Sequence, residues 1–433
     1  MATPLRRLDA RDAGFGAEFE RLERRRVQEK AAVELRVSEI IEDVRQRGDD
    51  AVVEAVERYD GVRIEADDLV WSAEQIEKGA AGLEAAARDA FARAAERIRS
   101  FHAERVPASW TTGREGESLG QRVGPLASVA IYAPAAKAPL ASTVLMLAMP
   151  AAVAGVRDLV MATSGIVAHP AMLEAARLSG VERLLRAGGA QAVAALAYGT
   201  ERVARVDKIV GPGSVWVQTA KRLVFGEVAI DSEAGPSEVL IIAEQGAPPA
   251  FVAADLLAQA EHEELASVVL MTPSAALLDE VDAELARQIP GQPRAEIIRA
   301  SLGDRSAAIL VRDLDEACEL ANRYAGEHVQ LYVEDSARWL DRIEHAGAIF
   351  IGAYSPVPLG DYLAGPSHVL PTGGTARFFS PVGVEDFLKR TSVIEFSRDG
   401  LRRVADDAIR LAELEGLFAH AAAVRLRTGE DES

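Results

Sequence analysis

Gln259 and His262 stand three residues apart in the run Asp255-Leu256-Leu257-Ala258-Gln259-Ala260-Glu261-His262. Apolar or small residues at Phe251, Val252, Leu256 and Leu257 suit a helix with one buried side. On such a helix the two polar side chains share one face, a turn apart. An amide oxygen and an imidazole nitrogen held this way can grip a divalent metal from one side and leave the other side open. Two polar residues at a helix end read the same way, and a QxxH pair is a short pattern, so the rest of the chain has to decide.

The chain has seven histidines, and four lie in unusual local contexts. His262 closes the run above. His328 lies in Ala325-Gly326-Glu327-His328-Val329, where a glycine leads into an apolar run with an acid and a base at its start. His368 ends the Gly/Pro loop Leu359-Gly360-Asp361-Tyr362-Leu363-Ala364-Gly365-Pro366-Ser367-His368, and His420 sits in the helical segment Glu415-Gly416-Leu417-Phe418-Ala419-His420. Taken alone, a histidine such as His420 is more often a surface or capping residue. Together, Gln259, His262, Asp361 and His420 offer two nitrogen and two oxygen donors, a set that suits Zn²⁺ without thiolate. The oxygen share also suits Mn²⁺. His102, His169 and His345 have no comparable context and are assigned nothing.

These side chains need elements to hold them. A chain of 433 residues is too long for one core and should form two to four domains. Short apolar runs at 128–132, 159–162, 184–187, 208–210 and 228–230, most followed by a helical segment, form one group. Runs at 239–243, 267–271, 307–311, 329–333 and 348–351 form a second. Continuous apolar runs with helices between them predict parallel strands covered on both faces, hence two α/β domains. The first hundred residues have helical periodicity, and Ser72-Ala73-Glu74-Gln75 is a capping box opening a long helix toward His102. From about residue 383 the chain is expected to be helical again, with a terminal helix of the kind that packs on a second subunit. Gly188-Gly189-Ala190-Gln191 and Gly211-Pro212-Gly213-Ser214 are strand-to-helix turns that bring backbone N–H groups toward a phosphate, or simply tight turns.

Composition excludes several classes. Lys+Arg 48 against Asp+Glu 67 gives −19, with the acid spread along the chain, which argues against a nucleic-acid or anionic-membrane surface. The single Cys318 rules out an intramolecular disulfide or thiolate metal cluster and reads as a small buried residue. The N-terminus has no apolar h-region, and no tract is long enough to span a membrane, so the cytoplasm is the expected compartment.

The runs Ile230-Asp231-Ser232-Glu233-Ala234-Gly235-Pro236-Ser237-Glu238-Val239, Gln259-Ala260-Glu261-His262 and Gly326-Glu327-His328 resemble, in order, the signature of the histidinol dehydrogenase family. So do the 360–368 loop and the segment from Glu415 to His420, and the resemblance runs over nearly the whole chain. It implies a zinc- and NAD-dependent homodimer oxidising L-histidinol through L-histidinaldehyde to L-histidine with two NAD⁺. Gln259, His262, Asp361 and His420 would be the zinc ligands and also touch substrate. Glu327 and His328 would be the acid/base pair, His328 also meeting the substrate, and Ser237, His368 and Glu415 would be further substrate contacts. Tyr132, Gln191 and Ser214 would contact NAD. Glu415 and His420 would come from the neighbouring subunit.

The implied organisation is two Rossmann-like parallel-sheet domains, a helical N-terminal arm and a helical C-terminal extension in an intertwined homodimer. The expected divisions are an arm over 1–27, a metal-bearing α/β domain over 28–128 and 237–382, an NAD-binding α/β domain over 129–236, and an extension over 383–433. The chain departs from the family pattern in the cofactor segment, at Ala135, Ala136, Leu140, Ser214 and Thr163-Ser164-Gly165-Ile166. The alternatives are a paralogue oxidising another polar alcohol such as a sulfonated diol, a metal-dependent hydrolase, and a non-catalytic metal-stabilised dimer with a decayed NAD site.

Overall fold

The computed structural model describes residues 5–25, 31–135, 139–164, 169–303 and 305–429. Strand β1 (Arg7–Asp9) and helix α1 (Phe15–Glu23) open the chain, followed by α2 (Ala31–Arg47), α3 (Asp49–Asp60), β2 (Val70–Ser72), α4 (Ala73–Ala80) and α5 (Ala85–Ala103). Next come β3 (Trp110–Thr112), β4 (Glu117–Pro125), β5 (Ser128–Tyr132), α6 (Ala141–Ala154), β6 (Asp158–Ala162) and α7 (Pro170–Leu178). The alternation continues through β7 (Arg183–Leu185), α8 (Gly189–Tyr198), β8 (Lys208–Val210), α9 (Val215–Val224) and β9 (Ala229–Ile230).

A second series holds β10 (Glu238–Ala243), α10 (Pro249–Ala260), β11 (Ser267–Thr272), α11 (Ala275–Gln288), α12 (Ala295–Ser301) and β12 (Ala307–Leu310). It goes on through α13 (Leu314–Tyr324), β13 (His328–Tyr332), α14 (Ser336–Leu340), β14 (Ala348–Ile351) and α15 (Val357–Tyr362). The chain ends with β15 (Leu388–Phe396), α16 (Arg398–Arg402), α17 (Ala405–Leu414) and α18 (Phe418–Thr428).

Both expected sheets form, each six-stranded, β2-β7-β6-β5-β8-β9 and β1-β12-β11-β10-β13-β14, and all their pairings are parallel except that of β2 with β7. In each series the first strand is central, two successors step outward on one side and two on the other. Each sheet therefore has a crevice where the connections change direction, at β5/β8 and at β10/β13. The runs are apolar because both faces are covered: Val129 and Ile131 enter one core layer while Ala130 and Tyr132 enter the opposite one. Burying a valine or isoleucine side chain such as those of Val129 and Ile131 contributes about 1.5–3 kcal/mol.

Three expectations are corrected. Helices α2 to α5 and strand β2 belong with the 128–230 sheet. Val37, Ile41, Val52 and Val56 share a core with Tyr132, Ile98 shares one with Ile131, and β2 pairs with β7. The domain expected to bear the metal therefore does not draw on residues 31–103; helical periodicity says that a face is buried, not which sheet buries it. The N-terminal arm is not purely helical: β1 adds an edge strand beside β12, and Phe19 and Leu22 of α1 join that sheet's core. Finally, 388–396 is a strand, paired antiparallel with β4 in a three-stranded sheet β15-β4-β3. Its residues are mostly exposed, so they lack the apolar run that marked the other strands. The capping box at Ser72 forms, but its helix ends at Ala80 and α5 starts afresh at Ala85.

The turns after β8 and β9 are locked by a side chain from α9. Lys221 is fully buried, its Nζ donating to the carbonyls of Gly211 (2.8 Å) and Ser232 (3.0 Å) and ion-paired with Asp231. Asp231 in turn accepts the Gly211 N–H at 2.7 Å. Gly211 has φ 122°, and a Cβ there would lie 2.3 Å from the Tyr132 carbonyl, so glycine is required. Lys221→Met should cost about 3–5 kcal/mol in urea unfolding, because it strands the Asp231 charge. Adding Asp231→Asn, which removes the charge and keeps an acceptor for the Gly211 N–H, should recover part of that loss.

Candidate active site

Parallel pairing of β10 with β13 sets Val239 opposite His328, which brings Ser237 and Glu238 beside Glu327. The Ser237 hydroxyl donates to Glu327 Oε2 at 2.7 Å, and the Glu238 N–H donates to the same oxygen at 2.8 Å. His328 Nδ1 is 2.9 Å from the Glu238 carbonyl. A carbonyl only accepts, so Nδ1 carries the proton and Nε2 presents a free lone pair. Glu238 is itself clamped, its carboxylate paired with buried Arg25 and accepting the Gly373 N–H. One backbone residue thus orients both members of the Glu327–His328 pair.

Burial shapes their protonation. Desolvation drives Glu327 up to about 8, although the Ser237 hydrogen bond opposes it. Desolvation also holds His328 and His262 below the usual imidazole range, leaving both neutral and available as base or ligand. Asp361, at the end of α15, is pushed up to about 6 by burial, with the His328 ring working against that shift.

Gln259 lies near the end of α10, and His262 sits just beyond that helix. A bond from the His262 N–H to the Gln259 carbonyl (3.2 Å) keeps the two a turn apart. Gln259 Nε2 donates to Ser237 Oγ at 2.5 Å, while its Oε1 is buried without any hydrogen-bond partner. A buried amide oxygen left unpaired is costly, and a cation there would satisfy it. Helix α10 packs on α15, and His328 lies close enough to His262, Asp361 and His368 to act on the charge of each. The donor set O, N and O from Gln259, His262 and Asp361 therefore fits a divalent metal.

His420 and Glu415 are exposed, on α18 and directly after α17. Among the described residues no group of three or more His, Cys, Asp or Glu side chains could hold a metal. The chain does not bring His420 to His262 and Asp361. Around Glu415 and His420 the helices present Leu411, Leu414, Leu417 and Phe418 to solvent, with Leu414 78% exposed.

Tyr132, Gln191 and Ser214 line one cavity of about 440 Å³ at the carboxyl ends of β5, β7 and β8, with Arg36, Asp60 and Trp216. The Tyr132 hydroxyl accepts the Gly189 N–H at 3.1 Å, fixing the turn into α8. Ser214 also lines a larger cavity of about 590 Å³ between the two sheets, which reaches Pro236 and Glu238. The altered Ala136 and Gly165-Ile166 lie outside the described residues. Sequence reasoning passed over two residues of the site. Glu238 reads as the polar first residue of a strand, and Thr143 is hidden in the apolar run of α6, yet its hydroxyl lies 3.0 Å from His368 Nε2.

Two parallel-sheet domains, with a buried carboxyl, an oriented imidazole and an orphaned amide oxygen beside the cleft, define an α/β enzyme built for acid–base chemistry. The family model for histidinol dehydrogenase matches residues 23–428. The histidinol dehydrogenase of Ralstonia nicotianae is 47% identical over 99% of this chain and 98% of that protein. That of Syntrophotalea carbinolica is 48% identical over 98% and 99%. A crystal structure of histidinol dehydrogenase from Elizabethkingia anophelis superposes with TM-score 0.93 at 33% identity, covering 100% of each chain. The chain belongs to the histidinol dehydrogenase family.

Proposed function

We propose that this chain oxidises L-histidinol through L-histidinaldehyde to L-histidine, reducing two NAD⁺ and consuming one water. The observation that carries the reading is the Glu238 clamp, which holds His328 with Nε2 free as a base beside a buried carboxyl. In the first step His328 Nε2 takes the carbinol proton as hydride passes to the nicotinamide, giving the aldehyde. Glu327 then takes a proton from the water that adds to the aldehyde. His328 again acts as base while the hydrate loses the second hydride. Ser237, whose Oγ sits between Gln259 and Glu327, has an acceptor position left for a substrate ammonium.

Gln259, His262 and Asp361 would hold zinc, with Mn²⁺ fitting the same donors, and the partner subunit's His420 would complete the set. When bound, the metal supplies a Lewis-acid anchor for substrate nitrogens. The missing fourth donor and the exposed apolar surface around residues 411–418 support a homodimer in which the partner subunit's Glu415 also meets the substrate. No helix among the described residues is long and apolar enough to cross a membrane, and we place the enzyme in the cytoplasm. NAD would occupy the cavity lined by Tyr132, Gln191 and Ser214. The full-length similarity favours this reading over a paralogue for a sulfonated diol, a hydrolase or a non-catalytic dimer.

The test is purified protein with NAD⁺ and L-histidinol, with and without chelator. Two NADH per substrate, abolished by chelator and restored by zinc, is the expected result. NADH formed only with other alcohols would overturn it. In the cofactor cavity, Ser214→Asn should lower the NAD⁺ KM about fivefold, since one added hydrogen bond contributes on the order of 1 kcal/mol. Initial rates across NAD⁺ concentration check this.

A further inference from the structure

Glu238 opens β10, and its main chain serves both members of the acid/base pair. The N–H donates to Glu327 Oε2 at 2.8 Å, and the carbonyl accepts from His328 Nδ1 at 2.9 Å. The β10–β13 ladder begins only at Val239, and the seven residues ahead of Glu238 belong to no strand. The side chain supplies the remaining hold. Its carboxylate is buried, accepts the Gly373 N–H and is ion-paired with Arg25, which lies 213 residues earlier in the chain. Arg25 stands two residues beyond α1 in the N-terminal arm, with its side chain 4% exposed. Three contacts fix it. Nη2 donates to the Tyr324 carbonyl at 3.0 Å, the guanidinium carbon lies 3.5 Å from the Tyr324 ring centroid, and the Arg25 carbonyl accepts from Arg305 Nη1 at 2.7 Å. Tyr324 is itself fully buried, its hydroxyl 2.9 Å from Ser267 Oγ on β11.

Stability alone is a weak reason for such a pair. Taking a guanidinium and a carboxylate out of water costs about as much as their attraction contributes, and an apolar pair of similar volume often holds a fold as well. What the ions add is direction. The carboxylate is fixed relative to the arm and to Gly373, and with it the peptide planes on either side of the Glu238 Cα. We infer that Arg25 is a positioning residue, through which the N-terminal arm aims Glu327 and His328 by way of the Glu238 main chain. The inference rests on the acid/base roles proposed above, and it gives the arm a part in the reaction without contact with the reacting atoms. Arg25 also borders the cavity of about 590 Å³ between the two sheets, so a dinucleotide contact is the rival role. The two roles differ in what they change. Misplacing a catalytic group by about 1 Å costs on the order of 10²-fold in the chemical step, whereas losing a cofactor contact raises KM for NAD⁺.

The experiment measures kcat, the KM values for NAD⁺ and L-histidinol, and the metal content of the full-length enzyme carrying Arg25→Met or Arg25→Lys. Urea unfolding of each variant gives the folded fraction to which kcat is referred. Arg25→Met keeps the length of the side chain and removes its charge and donors. Its kcat is expected to fall about 10–100-fold, with both KM values within about twofold and metal content unchanged. L-histidinol and L-histidinaldehyde should be affected together, since one residue serves both His328 and Glu327. Arg25→Lys keeps a charge for the Glu238 carboxylate but loses the planar fork, and its kcat is expected within about fivefold of the unsubstituted enzyme. Full kcat in folded Arg25→Met, or a raised NAD⁺ KM with kcat unchanged, would overturn the inference. So would Arg25→Lys as slow as Arg25→Met. Should Arg25→Met be unfolded, Arg25→Met combined with Glu238→Gln serves in its place, because it strands no charge and leaves an amide oxygen for the Gly373 N–H. That pair is expected to fold and to remain at least about tenfold slow; full kcat there would mean that the ions serve stability alone, and would overturn the inference. Failure of the unsubstituted protein to oxidise L-histidinol, or full rate in His328→Ala, would instead overturn the acid/base reading beneath it, and the inference with it.

Discussion

His328→Ala should lower kcat by about 10²–10⁴-fold, the usual contribution of a positioned general base, with zinc content unchanged. The two readouts separate because His328 is held by the backbone of β10, whereas Gln259, His262 and Asp361 come from α10, the residues just after it, and α15. Removing the imidazole leaves the Gln259–Ser237 and Ser237–Glu327 bonds in place, so the cluster should keep its shape. Hydride cannot leave a carbinol carbon without concurrent loss of the hydroxyl proton. Both oxidations should therefore slow together, and neither aldehyde nor hydrate should accumulate. Metal analysis of the purified variant and NADH formation with L-histidinol and with L-histidinaldehyde provide the check. A variant that turns over at full rate, or that has lost its metal, would contradict the assignment of His328 as base.

The buried strands were legible in the sequence because a parallel strand covered on both faces has no polar alternative. Runs such as Ser128–Tyr132 and Lys208–Val210 could be read to the residue. Strand β15 was not legible: its side chains are mostly exposed, its composition is mixed, and its partner β4 lies far back in the chain. Helices α2 to α5 were legible as helices but not as packing on the 128–230 sheet, since a stripe of valines and isoleucines fits either sheet. In the site, Gln259, His262, Glu327 and Asp361 stood out because polar residues clustered beside glycines and apolar runs have few structural uses. Thr143 and Glu238 had no such signal. Each meets the site through a neighbour, by a hydroxyl buried in an apolar helix and by a main-chain N–H and carbonyl, and neither leaves a pattern that spacing can reveal.

In the proposed mechanism Glu327 serves a different step from His328, and its protonation gives that step a pH dependence. Burial raises the carboxyl to about 8, so at neutral pH most of it is protonated and unable to deprotonate water. The active carboxylate grows as pH rises through that value, and between pH 7 and 9 its fraction increases about tenfold. Oxidation of L-histidinaldehyde should therefore climb about tenfold over this range. Oxidation of the alcohol relies on His328, which burial keeps neutral, and should be nearly flat there. Glu327→Gln retains the shape and the Ser237 contact but cannot take a proton. It should lower aldehyde oxidation by about 10²–10⁴-fold and abolish the climb, while the first oxidation persists. Product stoichiometry then falls from two NADH per L-histidinol toward one, and aldehyde can be trapped with a hydrazine. Unchanged stoichiometry and an unchanged pH profile in Glu327→Gln would remove Glu327 from the mechanism and leave water activation to another group.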